Sequence, residues 1–425
     1  EIRVGVLEAF MATFFAIIML LSMFGGHHKL LEEVDEEKHR LYYILVNLLL
    51  SSLLALVYTN DLFTAYVFVE INTISAAGLI MIRQIGRTIE AAVRYMIMSL
   101  LGSGLLLMGI CMLYDLTGHL LMSNIKEQVA ILATDPNSQV PLMITITIMS
   151  VGLCIKCALF PFHAWLPDAY GYSTVSSAAM LSSLVSKGYI FLLIKIIYRV
   201  IGCDVYERSQ IMNILFIFAL CGMIFGSVSA IRESDIRRMI AFSSVAQIGY
   251  IFMGIGMGTK AGMVAAIFHI LTHAATKSLL FIAAIGLTDV SGYSRKFYDI
   301  TGAGYRNKVA GVGFLVGSLS MVGVPLFSGF ISKYLFATGA IKLTGKMMPA
   351  LICLAVSTIL NAIYFMKTVI RIYTPDNSLH YQSVKTKDEM LYAFTMVGFI
   401  AINLLLGINS HPVVLFIEQG LEMFS

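Results

Sequence analysis

The sequence predicts an all-α, polytopic membrane protein that forms one transmembrane domain over residues 1–425. Hydrophobic residues make up 58% of the chain and charged residues 13%, with a mean hydropathy of +0.84. Soluble domains carry about 25% charged residues, so this composition excludes a soluble protein. The net charge of +4 is spread over the connections, without the basic tract that nucleic-acid binding needs.

Apolar runs long enough to cross a bilayer recur from end to end and predict about twelve transmembrane helices. In chain order they cover residues 5–24, 41–59, 62–82, 95–114, 141–160, 174–198, 211–230, 239–257, 262–287, 308–340, 348–370 and 390–408. The connection 25–40 is rich in charged residues and predicts a solvated interfacial helix. Only 114–140 and 371–389 are long enough to be substantial loops.

Lysines and arginines are divided unequally between alternate connections. One set, which includes Arg83, Arg237 and Arg295, holds fifteen of them, whereas the opposite set holds seven with the N-terminal Arg3. The positive-inside rule places the richer set in the cytoplasm. The sequence therefore predicts a multi-pass protein of the cytoplasmic (inner) membrane with both termini of this chain outside. Because the chain begins with Glu1, we also expect the natural protein to have sequence before it.

Two of the predicted spans are interrupted close to a lysine. Lys156 lies in an apolar run, and Pro161 follows five residues later in an aromatic turn. The run over 308–340 is too long for one straight helix, and Gly323 and the proline after it divide this run before Lys333. A charge in hydrocarbon and a broken helix are each costly in free energy, so packing alone does not explain them.

Paired broken helices are typical of transport folds built from inverted repeats. We therefore predict a first repeat over residues 41–198 and a second repeat over residues 211–370, each with one broken helix. The lysines beside the two breaks then occupy corresponding places in the two halves.

Further ionisable residues lie inside other predicted spans. Glu70 and Lys187 are flanked by apolar residues, so each needs a partner or loses its charge. Glu70 could also be a purely structural anchor that holds a neighbouring helix through a salt bridge. Lys195 is near the end of the same helix as Lys187, where it can snorkel to the interface, and we expect it to be mainly structural.

His269, His273 and Lys277 are spaced i, i+4 and i+8, which puts them on one stripe of a helix. Histidine suits proton transfer because it titrates near neutral pH. If Glu70 moves toward or away from Lys156 or Lys187, the lysine alternately holds and releases a proton. The sequence therefore predicts proton transfer along a row of buried groups.

The same residues are also consistent with a different class of protein. His163, His269 and His273 could hold a metal or a haem in an intramembrane enzyme or redox subunit. The metalloprotease pattern needs glutamate directly after the first histidine of the pair, and here Ile270 follows His269. Metal analysis and a visible absorption spectrum of the purified protein distinguish these classes.

Five stretches also resemble motifs of a known family. They are Lys156…Phe160-Pro-Phe-His163-Ala-Trp165-Leu-Pro-Asp168-Ala, Lys187-Gly-Tyr, Asp235-Ile-Arg-Arg-Met-Ile-Ala-Phe-Ser-Ser-Val-Ala-Gln247-Ile-Gly-Tyr, His269-x3-His273-Ala-x2-Lys277-Ser-Leu-Leu-Phe and Gly323-Val-Pro-Leu-Phe-Ser-Gly-Phe-Ile-Ser-Lys333. The family is that of the antiporter-like, proton-translocating subunits of respiratory complex I, membrane-bound (energy-converting) hydrogenases and Mrp-type Na⁺/H⁺ antiporters. The residues directly before Lys333 are more similar to those of the Mrp-type and hydrogenase-type members.

The resemblance implies fourteen core helices in two inverted five-helix repeats, with a hydrated polar axis at mid-membrane. It matches Glu70 to the glutamate of the family's fifth helix. It matches Lys156, Lys187 and Lys333 to the lysines of the seventh, eighth and twelfth helices, of which the seventh and twelfth are broken. In that frame the first two helices are absent here and the chain starts at the third.

The resemblance further implies a subunit of a multi-subunit ion-pumping complex, either a membrane-bound hydrogenase or a complex I-like oxidoreductase. The chain has no flavin, iron–sulfur or nucleotide motif, so we expect no cofactor and no metal. It would then be the non-catalytic, ion-translocating part of a redox-driven translocase. Expected partners are the lipid bilayer, other membrane subunits including further antiporter-like ones, and a peripheral hydrogenase or quinone-reductase arm. The alternative is an Mrp-type antiporter subunit without redox chemistry.

Overall fold

The computed structural model describes residues 2–375 and 389–424, and this part of the chain is built of helices. The helices α1 to α18 are, in chain order, Val6–Glu33, His39–Tyr58, Leu62–Met81, Gly86–Thr117, Met122–Leu132, Pro136–Lys156, Leu166–Tyr172, Val175–Ile201, Cys203–Arg208, Ile211–Arg232, Ile236–Gly256, Lys260–Asp289, Ala303–Arg306, Lys308–Val322, Ser328–Ile341, Met347–Ile372, Glu389–Ile408 and Ser410–Glu422. No strand forms among the described residues, which make only three isolated β-bridges. The all-α prediction is confirmed.

Eleven helices of the described chain are long and apolar enough to cross a membrane. They are α1, α2, α3, α4, α6, α8, α10, α11, α12, α16 and α17. The remaining predicted span, 308–340, is divided into α14 and α15, which have 15 and 14 residues. The protein is therefore a multi-pass membrane protein with about the expected number of spans.

The most enclosed helices carry most of the predicted site residues. The apolar windows of α8 and α12 are completely buried within the bundle, and that of α11 is 94% buried. Helix α12 packs against α1, α8, α11, α14, α15 and α17. A polar side chain on α12 therefore faces other helices rather than lipid. Its burial costs free energy unless it has polar partners.

The first break lies between α6 and α7. Helix α6 ends at Lys156, and the chain turns through Ala158, which has a φ of 58°, before α7 begins at Leu166. The ring of Trp165 packs 5.0 Å from Tyr95, as measured between centroids, and so ties the turn to α4. The aromatic turn therefore acts as a scaffold that ends the broken helix.

The second break lies between α14 and α15 and depends on a glycine. Gly323 ends α14 with a φ of 90°, a left-handed conformation that side chains other than glycine rarely adopt. A Cβ atom there would also lie 2.9 Å from Cδ of Lys333. Each predicted repeat thus contains one broken helix, while the inverted relation between the repeats stays a prediction.

Some elements differ from the sequence-based expectation. Helix α1 continues to Glu33 and a short 3₁₀ turn follows, so the separate interfacial helix predicted over 25–40 is wrong. The connection 114–140 contains α5, and α18 follows the last predicted span. Most of the predicted loop 371–389 lies outside the described residues.

Helix α8 has an internal irregularity that its sequence did not predict. Two segments, Leu181–Val185 and Ile196–Ile201, have π-helical hydrogen bonding. Such bulges are frequent at functional sites of helices. They flank the stretch that contains Lys187 and Lys195.

Candidate functional site

Glu70 and Lys156 form an ion pair at the first break. The Lys156 Nζ atom lies 3.6 Å from Oε1 of Glu70, and the lysine side chain is fully buried whereas 21% of the Glu70 side chain is exposed. Ser103 on α4 donates a hydrogen bond to the same carboxylate. Lys156 also donates to Oγ1 of Thr73, at 2.8 Å. The buried ammonium therefore has one charged and one neutral oxygen partner.

The surroundings of Lys156 extend to α8. Its ammonium lies 5.3 Å from the centroid of the Tyr189 ring. The Tyr189 hydroxyl is 3.3 Å from Oγ1 of Thr73 and donates to Oδ1 of Asn72 at 3.0 Å. Thr73 lies three residues after Glu70, on the same side of α3. That spacing was the available signal for Thr73, which the sequence-based prediction missed together with Ser103.

Lys187 is fully buried on α8, but it is not paired with Glu70. Its ammonium donates to the backbone carbonyl of Ser182, in the first π-helical segment. Among the described residues it forms no ion pair with a carboxylate. The structure thus brings Glu70 together with Lys156, and leaves Lys187 with a neutral partner.

The three predicted residues of α12 lie in the centre of the bundle. His269 Nδ1 is 2.6 Å from Oγ of Ser332, and the His269 and His273 ring centroids are 6.1 Å apart. Lys277 donates to Oγ of Ser243 and to the carbonyl of Ile240, the latter at 3.0 Å. All three side chains are enclosed, as their shared stripe on a central helix requires.

Lys333 lies at the second break and is bound by the end of α14. Its ammonium donates to the carbonyls of Met321 and Val322, at 3.1 and 2.6 Å. Carbonyls in the last turn of a helix have no intrahelical partner and carry partial negative charge, so they stabilise a cation. The ammonium is 5.9 Å from the centroid of Tyr250, whose ring stacks on His269 at 5.5 Å. Tyr250 therefore connects the second break to α12.

Serine hydroxyls connect α8 with α12. Ser183 and Ser278 are 2.6 Å apart, and Ser22 of α1 donates to Ser278 at 3.0 Å. Ser278 directly follows Lys277, and Ser183 precedes Lys187 by four residues, about one helical turn. Buried hydroxyls thus join the two helices that carry Lys187 and Lys277.

Several buried polar atoms near the histidines have no hydrogen-bond partner among the described residues. They are Nε2 of His269, both ring nitrogens of His273, Oγ1 of Thr272 and Nε2 of Gln247. Buried polar atoms in proteins are normally paired with protein groups or with ordered water. The interior of the bundle around the two histidines therefore offers polar groups to which water can bind.

A further polar cluster surrounds Asn403, which the sequence-based prediction missed because α17 lies outside both predicted repeats. The Asn403 side-chain oxygen accepts hydrogen bonds from Thr276, Ser320 and Ser328, at 2.8, 3.0 and 2.9 Å. These contacts join α12, α14 and α15 at the second break. Only ordinary polar residues take part, so nothing in the sequence marked the cluster.

A charged cavity of about 460 Å³ opens at one end of the bundle. It is lined by Lys29, Glu32, Glu33, Arg83, Val175, Arg237, Thr288, Tyr293 and Arg295. Val175 is the first residue of α8, and its neighbour Ser176 donates to the backbone carbonyl of Ser22 at 3.3 Å. The cavity therefore adjoins the serine contacts between α8 and α12, at the end that carries most of the arginines.

The histidines do not form a metal-ligand cluster within the described part of the chain. No group of three or more His, Cys, Asp and Glu side chains there has an arrangement that could hold a metal ion. The ring of His163 stacks on Phe160 at 5.3 Å, in the turn after α6. Its role is not assigned by any of these contacts.

Fold and site together define a class: a multi-pass helical membrane protein with a row of buried or half-buried lysines and buried histidines between two broken helices. We call these residues the polar row, which consists of Glu70, Lys156, Lys187, His269, His273, Lys277 and Lys333. The chain belongs to the NADH:quinone oxidoreductase/Mrp antiporter transmembrane family, whose model matches residues 59–361. The resemblance inferred from the motifs is confirmed.

Individual relatives agree with this family. The NADH-quinone oxidoreductase subunit N of Desulforudis audaxviator is 34% identical over 332 residues, which are 78% of this chain and 64% of that protein. This chain thus spans less than two thirds of that relative. A chain in the structure of the membrane-bound sulfane sulfur reductase, an archaeal respiratory membrane complex, has 25% identity and a TM-score of 0.85, covering 97% of this chain and 82% of that one.

The Mrp complex from Dietzia sp. contains a chain of the same fold. Its identity is 22% and its TM-score 0.86, and the match covers 98% of this chain and 83% of that one. The fold is therefore common to redox-linked complexes and to an Mrp complex, and does not by itself distinguish between them.

Proposed function

We propose that this protein is a proton-translocating, antiporter-like membrane subunit of a multi-subunit ion-pumping complex. The observation that carries the proposal is the ion pair of Glu70 with Lys156 at a broken helix. A fully buried ammonium is costly, and its protonation depends on the one carboxylate beside it. Because the Glu70 side chain is partly exposed, it can move without first breaking a tightly packed core.

Movement of Glu70 would couple to proton transfer at Lys156. With the carboxylate at 3.6 Å, the protonated lysine is favoured. When the carboxylate moves away, the hydrogen-bond partner that remains among the described residues is the neutral Thr73 hydroxyl, and the lysine then favours release of its proton. The proton would pass to Lys187, and the serines would couple this transfer to Lys277 and the histidines of the second half, from which a proton leaves at Lys333.

The charged cavity is the proposed entrance to the polar row. Its charged side chains would attract water at the end that the positive-inside rule places in the cytoplasm. From there Ser176, Ser22, Ser278 and Ser183 lie where α1, α8 and α12 meet. Both termini of this chain would then be outside a cytoplasmic membrane.

The proposed partners follow from the relatives. An NADH-quinone oxidoreductase and a respiratory sulfane sulfur reductase are redox complexes, so we place this chain beside other membrane subunits, including further antiporter-like ones. A peripheral hydrogenase or quinone-reductase arm would supply the electron transfer. The alternative is an Mrp-type antiporter subunit without redox chemistry, which the family and the shared fold also support.

Purification of the intact complex and its reconstitution into proteoliposomes with an internal pH dye test the proposal. We expect internal pH to change when the electron donor of the co-purifying subunits is added. If pH changes only when a sodium gradient is imposed, the Mrp-type alternative is correct. If neither treatment moves protons, the proposed function is wrong.

A further inference from the structure

A second group of buried charges lies at the end of the bundle remote from the charged cavity. It consists of Glu8 on α1 with Lys195 and Arg199 on α8, whose exposed fractions are 0%, 0% and 4%. None of them belongs to the polar row. The expectation that Lys195 snorkels to the membrane surface is wrong, because α2 and α5 pack against the end of α8 and the Lys195 side chain is fully buried.

The contacts of these three residues are of two kinds. Glu8 Oε1 and Arg199 Nη1 are 2.6 Å apart and form an ion pair. The Arg199 guanidinium also lies 4.0 Å from the Phe424 ring. Lys195 instead donates to the carbonyls of Val57 and Thr59, at 2.9 and 2.5 Å. Among the described residues, Lys195 forms no ion pair of its own.

A charge count identifies the member of the group that can change its protonation. Glu8 and Arg199 neutralise each other, and an arginine does not deprotonate in proteins. Arg3 is a further cation near Arg199 but is exposed, so a protonated Lys195 is the uncompensated buried charge of the group. Loss of its proton leaves a neutral group and breaks no ion pair, whereas protonation of Glu8 would leave Arg199 buried and unpaired.

The position of Lys195 connects this group to the polar row. Lys195 follows Lys187 by eight residues on α8, which is about 12 Å along a helix axis. The second π-helical segment, Ile196–Ile201, starts directly after it and carries Arg199. Lys195 therefore lies between Lys187 and the end of the bundle that the lysine and arginine distribution places outside.

We infer that Lys195 is a proton-release station for the first half of the protein, which rests on the proposed function. In the proposed step the Lys187 ammonium gives a proton to water that enters between the two lysines, and a proton from this water forms a new N–H bond on the neutral amine of Lys195. The Lys195 ammonium then gives one proton to water at the outer end. The Glu8–Arg199 pair stays ionised throughout and keeps the site polar.

A structural role for Lys195 makes a different prediction. The carbonyls of Val57 and Thr59 lie at the end of α2, where a cation stabilises the helix terminus. Arginine can serve as such a cap, because it is a cation with several donors, but it cannot release a proton. The variant Lys195→Arg therefore separates the two roles.

The test compares proton translocation by the reconstituted complex carrying Lys195→Arg, Lys195→Gln, Lys156→Met or Lys260→Met. Lys260 is half exposed at the same end of the bundle and serves as the matched control. For the Lys195→Arg complex we expect wild-type assembly and a loss of translocation of at least about tenfold, because a proton-transfer group is removed. Lys260→Met should behave as wild type.

Wild-type translocation by the Lys195→Arg complex would overturn the inference. If that complex does not assemble, Lys195→Gln, which keeps a donor for the carbonyls, replaces it with the same expected loss. Failure of both variants to assemble assigns Lys195 to the fold and also overturns the inference. Normal translocation by Lys156→Met would instead contradict the proposed function, so the two failures are distinguishable.

Discussion

At the scale of single residues, the site is a set of lysines whose ammonium groups have different kinds of hydrogen-bond or ion-pair partner. Lys156 has a carboxylate, whereas Lys187 and Lys333 have backbone carbonyls and Lys277 has a serine and a carbonyl. A carbonyl orients an ammonium but does not neutralise it. The single carboxylate at Glu70 is therefore the one group of the polar row whose movement changes the charge balance of a neighbouring lysine.

Glu70→Gln tests this residue-level argument, because it removes the charge and nearly keeps the shape of the side chain. We expect the complex to assemble and its proton translocation to fall by at least about tenfold. Thr73→Ser is the matched control on the same helix, since it keeps the hydroxyl that Lys156 contacts. Equal translocation by Glu70→Gln and wild type would mean that the ion pair is a structural anchor.

At the scale of elements, the two breaks use different means to place a lysine. The first ends α6 at Lys156 itself, and an aromatic turn follows. The second ends α14 at Gly323, and Lys333 reaches back from α15 to the free carbonyls of α14. A Cβ atom on Gly323 would lie 2.9 Å from Cδ of this side chain, so the lysine would have to shift away.

Gly323→Ala should therefore affect both stability and function. We expect a loss of about 1–3 kcal/mol in stability from the left-handed backbone, seen as a lower melting temperature, together with reduced proton translocation. Gly345→Ala is the matched control, because its φ is 84° and its surroundings are open. It should lower the melting temperature but leave translocation unchanged. Equal translocation by both variants would show that the contact with Lys333 is unimportant.

The amino-acid sequence revealed the breaks because glycine and proline interrupt apolar runs. It revealed the polar row because ionisable residues are costly inside such runs. Lys156, Lys333 and the histidines could therefore be found without coordinates. Asn403 could not, since an ordinary polar residue in a span gives no signal until its neighbours are known, and for Thr73 the available signal was its spacing of three residues from Glu70. The burial of Lys195 likewise depends on how α2 and α5 pack against α8, and the periodicity of the sequence does not predict that packing.

At the scale of the whole molecule, the charges divide the bundle into two ends. Arg83, Arg237 and Arg295 surround the charged cavity at one end, and the smaller group of Glu8, Lys195 and Arg199 lies at the other. The polar row runs between them. The direction of transport then depends on the orientation of the chain, which the positive-inside rule predicts.

Cysteine labelling tests that orientation. Tyr298→Cys replaces a residue that is 80% exposed at the arginine-rich end, and Lys260→Cys replaces an exposed residue at the opposite end. In intact cells, a membrane-impermeant maleimide should label only Lys260→Cys, whereas both variants should react after the membrane is opened. Labelling of Tyr298→Cys alone in intact cells would reverse the assignment of the two sides.

The most direct test of the central claim is proton translocation by the assembled complex that carries Lys156→Met. Methionine has a similar length but no proton to transfer, and it leaves Glu70 without its buried partner. Lys342→Met, at an exposed lysine, is the matched control. We predict that Lys156→Met abolishes translocation in a complex of normal composition while Lys342→Met has no effect. Wild-type translocation by the Lys156→Met complex would contradict the account.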